Sequence, residues 1–191
     1  LISLSFSGSV KNLGDWLCNG CSSLKFVKFP RGLGSINDRF FAGCVGLTSV
    51  DIPDGVTSIG DCSFEGCGGL VSVKIPDSVI RIGNKAFKDC RSLTSVRIPD
   101  GVASIDSHAF AGCGKLTAVA MPDGVVLSDG VFEDCGRLTS IDVPDNAKII
   151  EEELFHHCGG LTSVKIPDGV KIIKSGAFDG CKSLSSVTIP G

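Results

Sequence analysis

The chain has 191 residues, of which 42% are hydrophobic and 20% are charged, a composition that excludes intrinsic disorder. The formal net charge is −3 with both signs scattered along the chain, so no basic field exists to hold a nucleic-acid backbone. No apolar run approaches the roughly 18 residues that span a bilayer. Neither a signal peptide nor an initiator Met is present, so we expect an ordered piece of a longer protein, with no membrane span and no nucleic-acid partner.

The main feature of the sequence is a repeat of 23 residues, which predicts a solenoid. One unit, between Leu116 and Leu138, has 22 residues instead, and Leu1 extends the array one period upstream. No linker interrupts the array, so we predict one domain over residues 1–191 with about eight units. The units begin at Leu24, Leu47, Leu70, Leu93, Leu116, Leu138, Leu161 and Leu184.

Each unit opens with the pattern of a short strand. Within residues 70–92, the apolar residues Val73 and Ile75 alternate with the polar residues Ser72 and Lys74. This two-residue period is typical of a strand that is buried on one face.

A turn follows the strand. Pro76 ends the strand because proline cannot donate to a β-ladder. The residues that follow usually complete a Pro-Asp-Gly sequence, as at residues 53–55 and 99–101. Proline fixes φ, Asp can bond its own backbone and Gly tolerates positive φ, so this tripeptide predicts a tight turn.

The rest of the unit predicts a short helical segment. Val79 and Ile82 return the chain to the interior, and Ala86, Phe87 and Cys90 then follow at helical spacing. One unit cannot bury enough apolar surface to hold its shape alone, so the units must stack. We therefore predict an α/β solenoid, with short parallel β-strands on one face and turns and short helical segments on the other.

The run LTSVxIPDGVxSIGxxAFxGC, seen from Leu47, Leu93 and Leu161, resembles the BspA-like (Treponema-type) class of leucine-rich repeats over essentially the whole chain. The resemblance implies a leucine-rich-repeat solenoid. Members of that family are mostly surface or secreted proteins linked to adhesion and host-protein binding, and the resemblance implies the same here. One departure is that Gly replaces the usual Asn or Cys after the strand, so the asparagine ladder is absent. The replacements are Gly55, Gly101, Gly124 and Gly169.

Eight of the ten cysteines recur once per unit, and we interpret them as a ladder of buried, unpaired thiols. Equivalent β-carbons in stacked units lie about 4.8 Å apart, whereas a disulfide needs about 3.8 Å. Cys18 and Cys62 lie off the ladder, which leaves an isolated bridge open. Cys18 and Cys21 form a C-x2-C pair, as in zinc or redox sites, but Cys18 stands where later units have Phe, which favours a core residue. The ladder consists of Cys21, Cys44, Cys67, Cys90, Cys113, Cys135, Cys158 and Cys181.

Catalytic chemistry has little support in the sequence. The three histidines do not recur with the repeat, and no nucleophile, base and orienting group fall together, so we predict no enzyme and no cofactor. The run His156-His157-Cys158 contains metal-ligand types. Cys158 is an inward ladder position, however, and we predict no metal there.

Six aspartates occupy one turn position in consecutive units and allow two interpretations. The favoured one is a local bond from each carboxylate to the backbone of its own turn. The alternative is a stack of carboxylates that binds divalent cations, in which case the melting temperature rises with calcium and falls with a chelator. These residues are Asp54, Asp77, Asp100, Asp123, Asp145 and Asp168.

The outward strand positions form the predicted binding site. One column is mostly small hydroxyl residues and the next carries charges of both signs, whereas the core positions hardly vary. A sheet face of this kind is the usual recognition surface of a solenoid. We predict contact with a protein or glycan, such as a host-surface or matrix component, through Phe26, Lys28, Asp51, Lys74, Arg97, Asp142 and Lys165.

A second interpretation stays open, because the same column also fits an ordinary solvated face. The segment is then a structural spacer, or an intracellular interaction scaffold without a dedicated ligand. Ten largely unpaired cysteines suit a reducing setting, whereas the resemblance implies a cell-surface or secreted protein. Leu1 and Gly191 leave both ends uncapped, which predicts either flanking repeats or self-association through the ends.

Overall fold

The computed structural model describes residues 1–6, 10 and 13–189. Over these residues the chain winds into a solenoid. A typical repeat unit contributes a three-residue strand, a two-residue strand and a six-residue turn segment. The strands are β1 (Ser3–Ser5), β2 (Phe26–Lys28), β3 (Ser35–Ile36), β4 (Ser49–Asp51), β5 (Ser58–Ile59), β6 (Ser72–Lys74), β7 (Arg81–Ile82), β8 (Ser95–Arg97), β9 (Ser104–Ile105), β10 (Ala118–Ala120), β11 (Val126–Leu127), β12 (Ser140–Asp142), β13 (Ile149–Ile150), β14 (Ser163–Lys165) and β15 (Ile172–Ile173).

The three-residue strands form a first column of parallel strands in which equivalent residues face one another. β1 pairs with β2, β4 with β6, β8 with β10 and β12 with β14. Ser49 therefore lies opposite Ser72, and Asp51 lies opposite Lys74. The middle residue of each strand points inward and the two flanking residues are exposed. The predicted alternation and parallel stacking are confirmed.

The two-residue strands form a second column that the sequence pattern does not reveal. β3, β5, β7, β9 and β11 form one five-stranded parallel sheet, and β13 pairs with β15. The inward residue of this column is a buried Ile in most units, as at Ile59 and Ile82. Two residues are too few for a period-2 pattern to be recognised, so the sequence predicts only that the chain returns to the interior here.

The third side of the solenoid consists of turns, and no α-helix occurs in residues 1–6, 10 and 13–189. In the segment 61–66, the N–H groups of Cys62, Phe64 and Gly66 donate to carbonyls of the next unit at 2.8 Å, whereas an α-helix uses these groups within the segment. Cys62 and Gly66 also have positive φ, 55° and 71°, which a right-handed helix does not allow. The predicted helical segments and the α/β class are therefore wrong, and the fold is a parallel-strand β-solenoid.

The core is continuous from unit to unit. One Phe ring per unit stacks on the next, with ring centroids 5.1 to 6.1 Å apart and ring planes within 21° of parallel. Each internal ring therefore packs against two neighbours, and no unit has a core of its own. The stack consists of Phe41, Phe64, Phe87, Phe110, Phe132, Phe155 and Phe178.

The turns that follow the first column are closed by the backbone. In each of the six Pro-Asp turns, the N–H of the residue two positions after the Asp donates to the carbonyl of the turn proline, at 2.9 to 3.4 Å. Gly55 has the expected positive φ of 94°, but Gly101, Gly124 and Gly169 do not. A Cβ at Gly101 would lie 2.5 Å from the carbonyl oxygen of Asp77 in the preceding turn. Close stacking of the turns, and not φ, therefore requires glycine at position 101.

The cysteine ladder is unpaired, as predicted, and all ten cysteines are free thiols. Six of the eight ladder residues are buried, and Cys21 and Cys181 at the two ends of the ladder are half-buried. The ladder also makes hydrogen bonds that the sequence does not suggest. The thiol of Cys90 donates to the carbonyl of Phe64 at 3.3 Å, and the thiol of Cys113 donates to the carbonyl of Phe87 at the same distance. Five further ladder thiols make equivalent bonds at 3.1 to 3.4 Å. The thiols thus satisfy carbonyls of the preceding unit, a role that amides fill in an asparagine ladder.

Burial of the ladder predicts that the fold weakens at alkaline pH. Burial raises the pKa of Cys44 and of Cys158 from 9.0 to about 12 and raises the pKa of Cys113 well above 9.0. Between the unfolded and folded pKa values, the unfolded chain releases protons that the folded chain keeps. The contribution of these thiols to the free energy of unfolding is therefore fully present below pH 9. Above pH 9 it falls by about 1.4 kcal/mol per pH unit for each such thiol.

Urea unfolding at pH 7 and pH 10 measures this loss, and Cys113→Ser is the matched variant. A serine hydroxyl can donate to the same carbonyl but does not titrate in this range. We expect the variant to lose less free energy of unfolding between the two pH values than the parent protein does. An equal loss in both proteins contradicts the assignment.

Candidate binding surfaces

The outward side chains of the first strand column form an exposed surface, here called the strand face. The middle residues between them are inward, so the flanking side chains are the ones that a partner meets. Phe26 is an aromatic residue of this surface, in β2, and is 66% exposed. The structure places every predicted binding residue on the strand face with an exposed side chain: Phe26, Lys28, Asp51, Lys74, Arg97, Asp142 and Lys165.

The strand face carries charges of both signs along the solenoid. The strand register sets Asp51 opposite Lys74, and Asp142 opposite Lys165. Arg97 faces Ala120, so an uncharged position separates the charges into two groups. The basic group of Lys74 and Arg97 is flanked by Asp51 as predicted, whereas Asp142 lies beyond that uncharged position.

A shallow hollow of about 440 Å³ lies beside this basic group. The guanidinium of Arg97 reaches the Asp77 carboxylate at 3.4 Å, so the basic group is also flanked by an acid from the turn column. Both side chains are well exposed, and an ion pair of this kind contributes about 0–1 kcal/mol to stability. The hollow therefore offers both signs of charge to a ligand.

The six turn aspartates are all exposed and do not converge. Within the described part of the chain, no three of these carboxylates lie within 4.8 Å of one another. The local bonds that we expected inside the turns are also missing among those residues, and Asp77 bonds to Arg97 instead. The calcium response stays a prediction, checked by the melting temperature with and without calcium.

The short unit opens a cleft in the second strand column. It has 22 residues because one residue is missing between Val125 and Val126, where β11 begins. No Cα atom of β11 lies within 8 Å of a Cα atom of β13, although every other adjacent pair in this column is hydrogen-bonded. The cleft between them has a volume of about 240 Å³ and an apolar lining that includes Val126, Ile149 and Leu154.

The cleft leaves backbone groups without their usual partners. In every other described step of the column, the N–H that follows the two-residue strand donates to the preceding unit, as Lys174 does to Ile150 at 2.9 Å. The equivalent N–H of Glu151 makes no such bond to Leu127 in the described structure. The Phe stack is also wider at this unit, with 6.1 Å between Phe132 and each neighbouring ring.

Amide hydrogen exchange can test the cleft. We expect the Glu151 N–H to exchange with solvent faster than the Lys174 N–H, because only the second has an acceptor. Inserting an alanine between Val125 and Val126 restores the 23-residue spacing and should slow exchange at Glu151. Similar slow exchange at both amides in the parent protein shows that the sheet is closed.

The structure brings one set of metal-ligand types together that the sequence did not predict. Ligand atoms of His156, His157 and Asp179 all lie within 4.8 Å of one another. Cys158 does not join them, because its buried thiol donates to the carbonyl of Phe132. Only the spacing could have revealed the set, since His156 and Asp179 are 23 residues apart.

No helix that could cross a membrane occurs among the described residues.

The sequence model of the family described as "BspA type Leucine rich repeat region" matches six copies over residues 1–117 and 125–191. The chain belongs to this family. The unmatched residues 118–124 lie in the unit that is one residue short.

Two solved structures show the same architecture. The T. pallidum leucine-rich repeat protein shares 28% sequence identity, over 97% of this chain and 78% of its own, with a TM-score of 0.80. A leucine-rich repeat protein from Bacteroides ovatus shares 24% identity, over 100% of this chain and 67% of its own, with a TM-score of 0.56. Among curated proteins, none matches the chain. The leucine-rich-repeat fold and the family predicted from the motif are confirmed.

Proposed function

We propose that this BspA-type repeat segment is a non-catalytic binding scaffold that engages a protein or glycan through its strand face. The observation that carries the proposal is the contrast between the two sides of the first strand column. The inward positions repeat as Val or Ile, whereas the outward charged position changes from Asp51 to Lys74 to Arg97 in successive units. Core packing explains the first pattern, and a partner of specific charge explains the second.

The chemistry of the strand face favours a shallow, extended contact. Serine hydroxyls and charges of both signs suit the hydroxyl, carboxylate and sulfate groups of a glycan, or a polar protein surface. Aromatic anchors, which usually supply most of the binding energy, are rare here apart from Phe26. Affinity then comes from many modest contacts along the solenoid, and the hollow beside Lys74 and Arg97 offers one of them.

The proposed location is the cell surface or the secreted fraction, with a host-surface or matrix component as the partner. The family resemblance supports this location. The free cysteines do not argue against export, because the six internal ladder thiols are buried and burial raises their pKa, which suppresses the reactive thiolate.

A structural spacer without a ligand is the alternative, and self-association through the ends stays a prediction. The spacer needs no variation in outward charge, so the strand face is where the two proposals differ.

Charge reversal on the strand face tests the proposal. We expect the double variant Lys74→Glu/Arg97→Glu to bind immobilised heparin and matrix proteins at least about tenfold more weakly, a change of about 1.4 kcal/mol. Lys115→Glu is the matched control, because Lys115 is exposed but lies in a turn outside the strand face. The free energy of unfolding should change by less than about 1 kcal/mol in both variants. Undiminished binding by the double variant supports the spacer.

A further inference from the structure

Two histidines and three carboxylates form a patch on the turn side of the last units. The segments 129–134, 152–157 and 175–180 stack on one another through backbone bonds such as His157 N–H to the Asp179 carbonyl at 2.7 Å. The repeat spacing puts Glu133, His156 and Asp179 in one column. Asp134 and His157 lie in the next column, beside Gly180.

Each imidazole has a carboxylate of the preceding unit beside its Nδ1. Nδ1 of His156 lies 3.5 Å from Oε1 of Glu133, and Nδ1 of His157 lies 3.3 Å from Oδ1 of Asp134. Nε2 of His156 faces Oδ2 of Asp179 at 3.5 Å. Metal-binding histidines have this arrangement, in which a carboxylate orients one ring nitrogen and leaves the other for the metal.

The local backbone holds the two rings together. Their centroids are 3.8 Å apart, and His157 adopts a positive φ of 57° at a position where Gly43, Gly66 and Gly112 stand in other units. A Cβ at Gly180 would overlap the His157 ring, so that glycine makes the space in which the ring lies.

The charges of the patch call for a cation. In the described part of the chain, no Lys or Arg nitrogen lies within 4.0 Å of the carboxylates of Glu133, Asp134 and Asp179, which face only the two histidines. Nδ1 of His156 is buried and makes no hydrogen bond. A bound divalent ion would balance these charges, and coordination through Nε2 would fix the tautomer that donates from Nδ1 to Glu133.

We propose that His156, His157 and Asp179 bind a divalent transition metal of the zinc class, with Glu133 and Asp134 orienting the two imidazoles. Two imidazole nitrogens and a carboxylate oxygen suit zinc, nickel or copper, whereas calcium takes oxygen ligands only. Donor atoms around one tetrahedral zinc lie about 3.3 Å apart. The three ligand atoms already lie within 4.8 Å of one another, so side-chain rotations that open the ring stack bring them into range. Water or a partner group takes the fourth position.

Zinc titration followed by NMR tests the site in the unmodified chain. The chain has three histidines, and we expect zinc chloride at one equivalent to shift the imidazole resonances of His156 and His157 while those of His108 stay in place. Cobalt in place of zinc should give the visible bands of a tetrahedral site without the near-ultraviolet band of sulfur coordination. Unshifted His156 and His157 resonances, or a sulfur band, overturn the proposal.

Matched variants separate ligands from bystanders. His157→Asn keeps a residue that tolerates positive φ, and Asp179→Asn changes a side chain that is 73% exposed, so both should fold. Each should weaken zinc binding at least tenfold, and Glu133→Gln should weaken it tenfold to a hundredfold through the orienting contact. His108→Asn is the control, because His108 also has a positive φ, 59°. Unchanged zinc affinity in His157→Asn and Asp179→Asn overturns the assignment.

Discussion

Hydrogen bonding between units is the constraint on which the rest of this structure depends. On the turn side, every second N–H donates to the next unit, as Phe64 does to Ala86 at 2.8 Å, while the intervening N–H groups close local turns. The same backbone therefore cannot be helical, although its apolar residues have helical spacing. Stacked Phe rings and ladder thiols repeat the pattern inside the core, where each group again finds its partner in the adjoining unit.

This dependence on neighbours makes the solenoid sensitive to the length of each unit. The 22-residue unit keeps its turn-side bonds, with Phe132 donating to Leu154 at 3.1 Å. It also keeps the Phe stack at a wider spacing. The missing residue falls just before β11, and in the second strand column β11 and β13 separate. A single deletion thus leaves the turn-side bonds in place, and the second strand column gains an apolar cleft.

The repeat also explains how distant residues come to share a surface. Residues 23 positions apart become neighbours along the solenoid. A residue that differs from the repeat pattern in one unit therefore lies beside the equivalent residue of the next unit. On the strand face this produces the row from Asp51 to Lys74 to Arg97. On the turn side it brings Asp179 to a histidine pair that the chain order alone leaves without a third ligand. Both surfaces consist of residues whose type varies between units, at positions that the repeat fixes.

The sequence by itself determined the family, the register of the stack, the inward Val and Phe positions, the unpaired cysteine ladder and the exposed strand face. All of these follow from a period, because identical units must bury identical faces. The tertiary structure decided what depends on contacts between units. Such features include the acceptor of the Phe64 N–H, the need for glycine at position 101 and the cleft beside β11. The convergence of His156, His157 and Asp179 is another. A pattern within one unit shows which side chains are apolar, but the partner of a backbone group or a histidine is set by the unit above or below it.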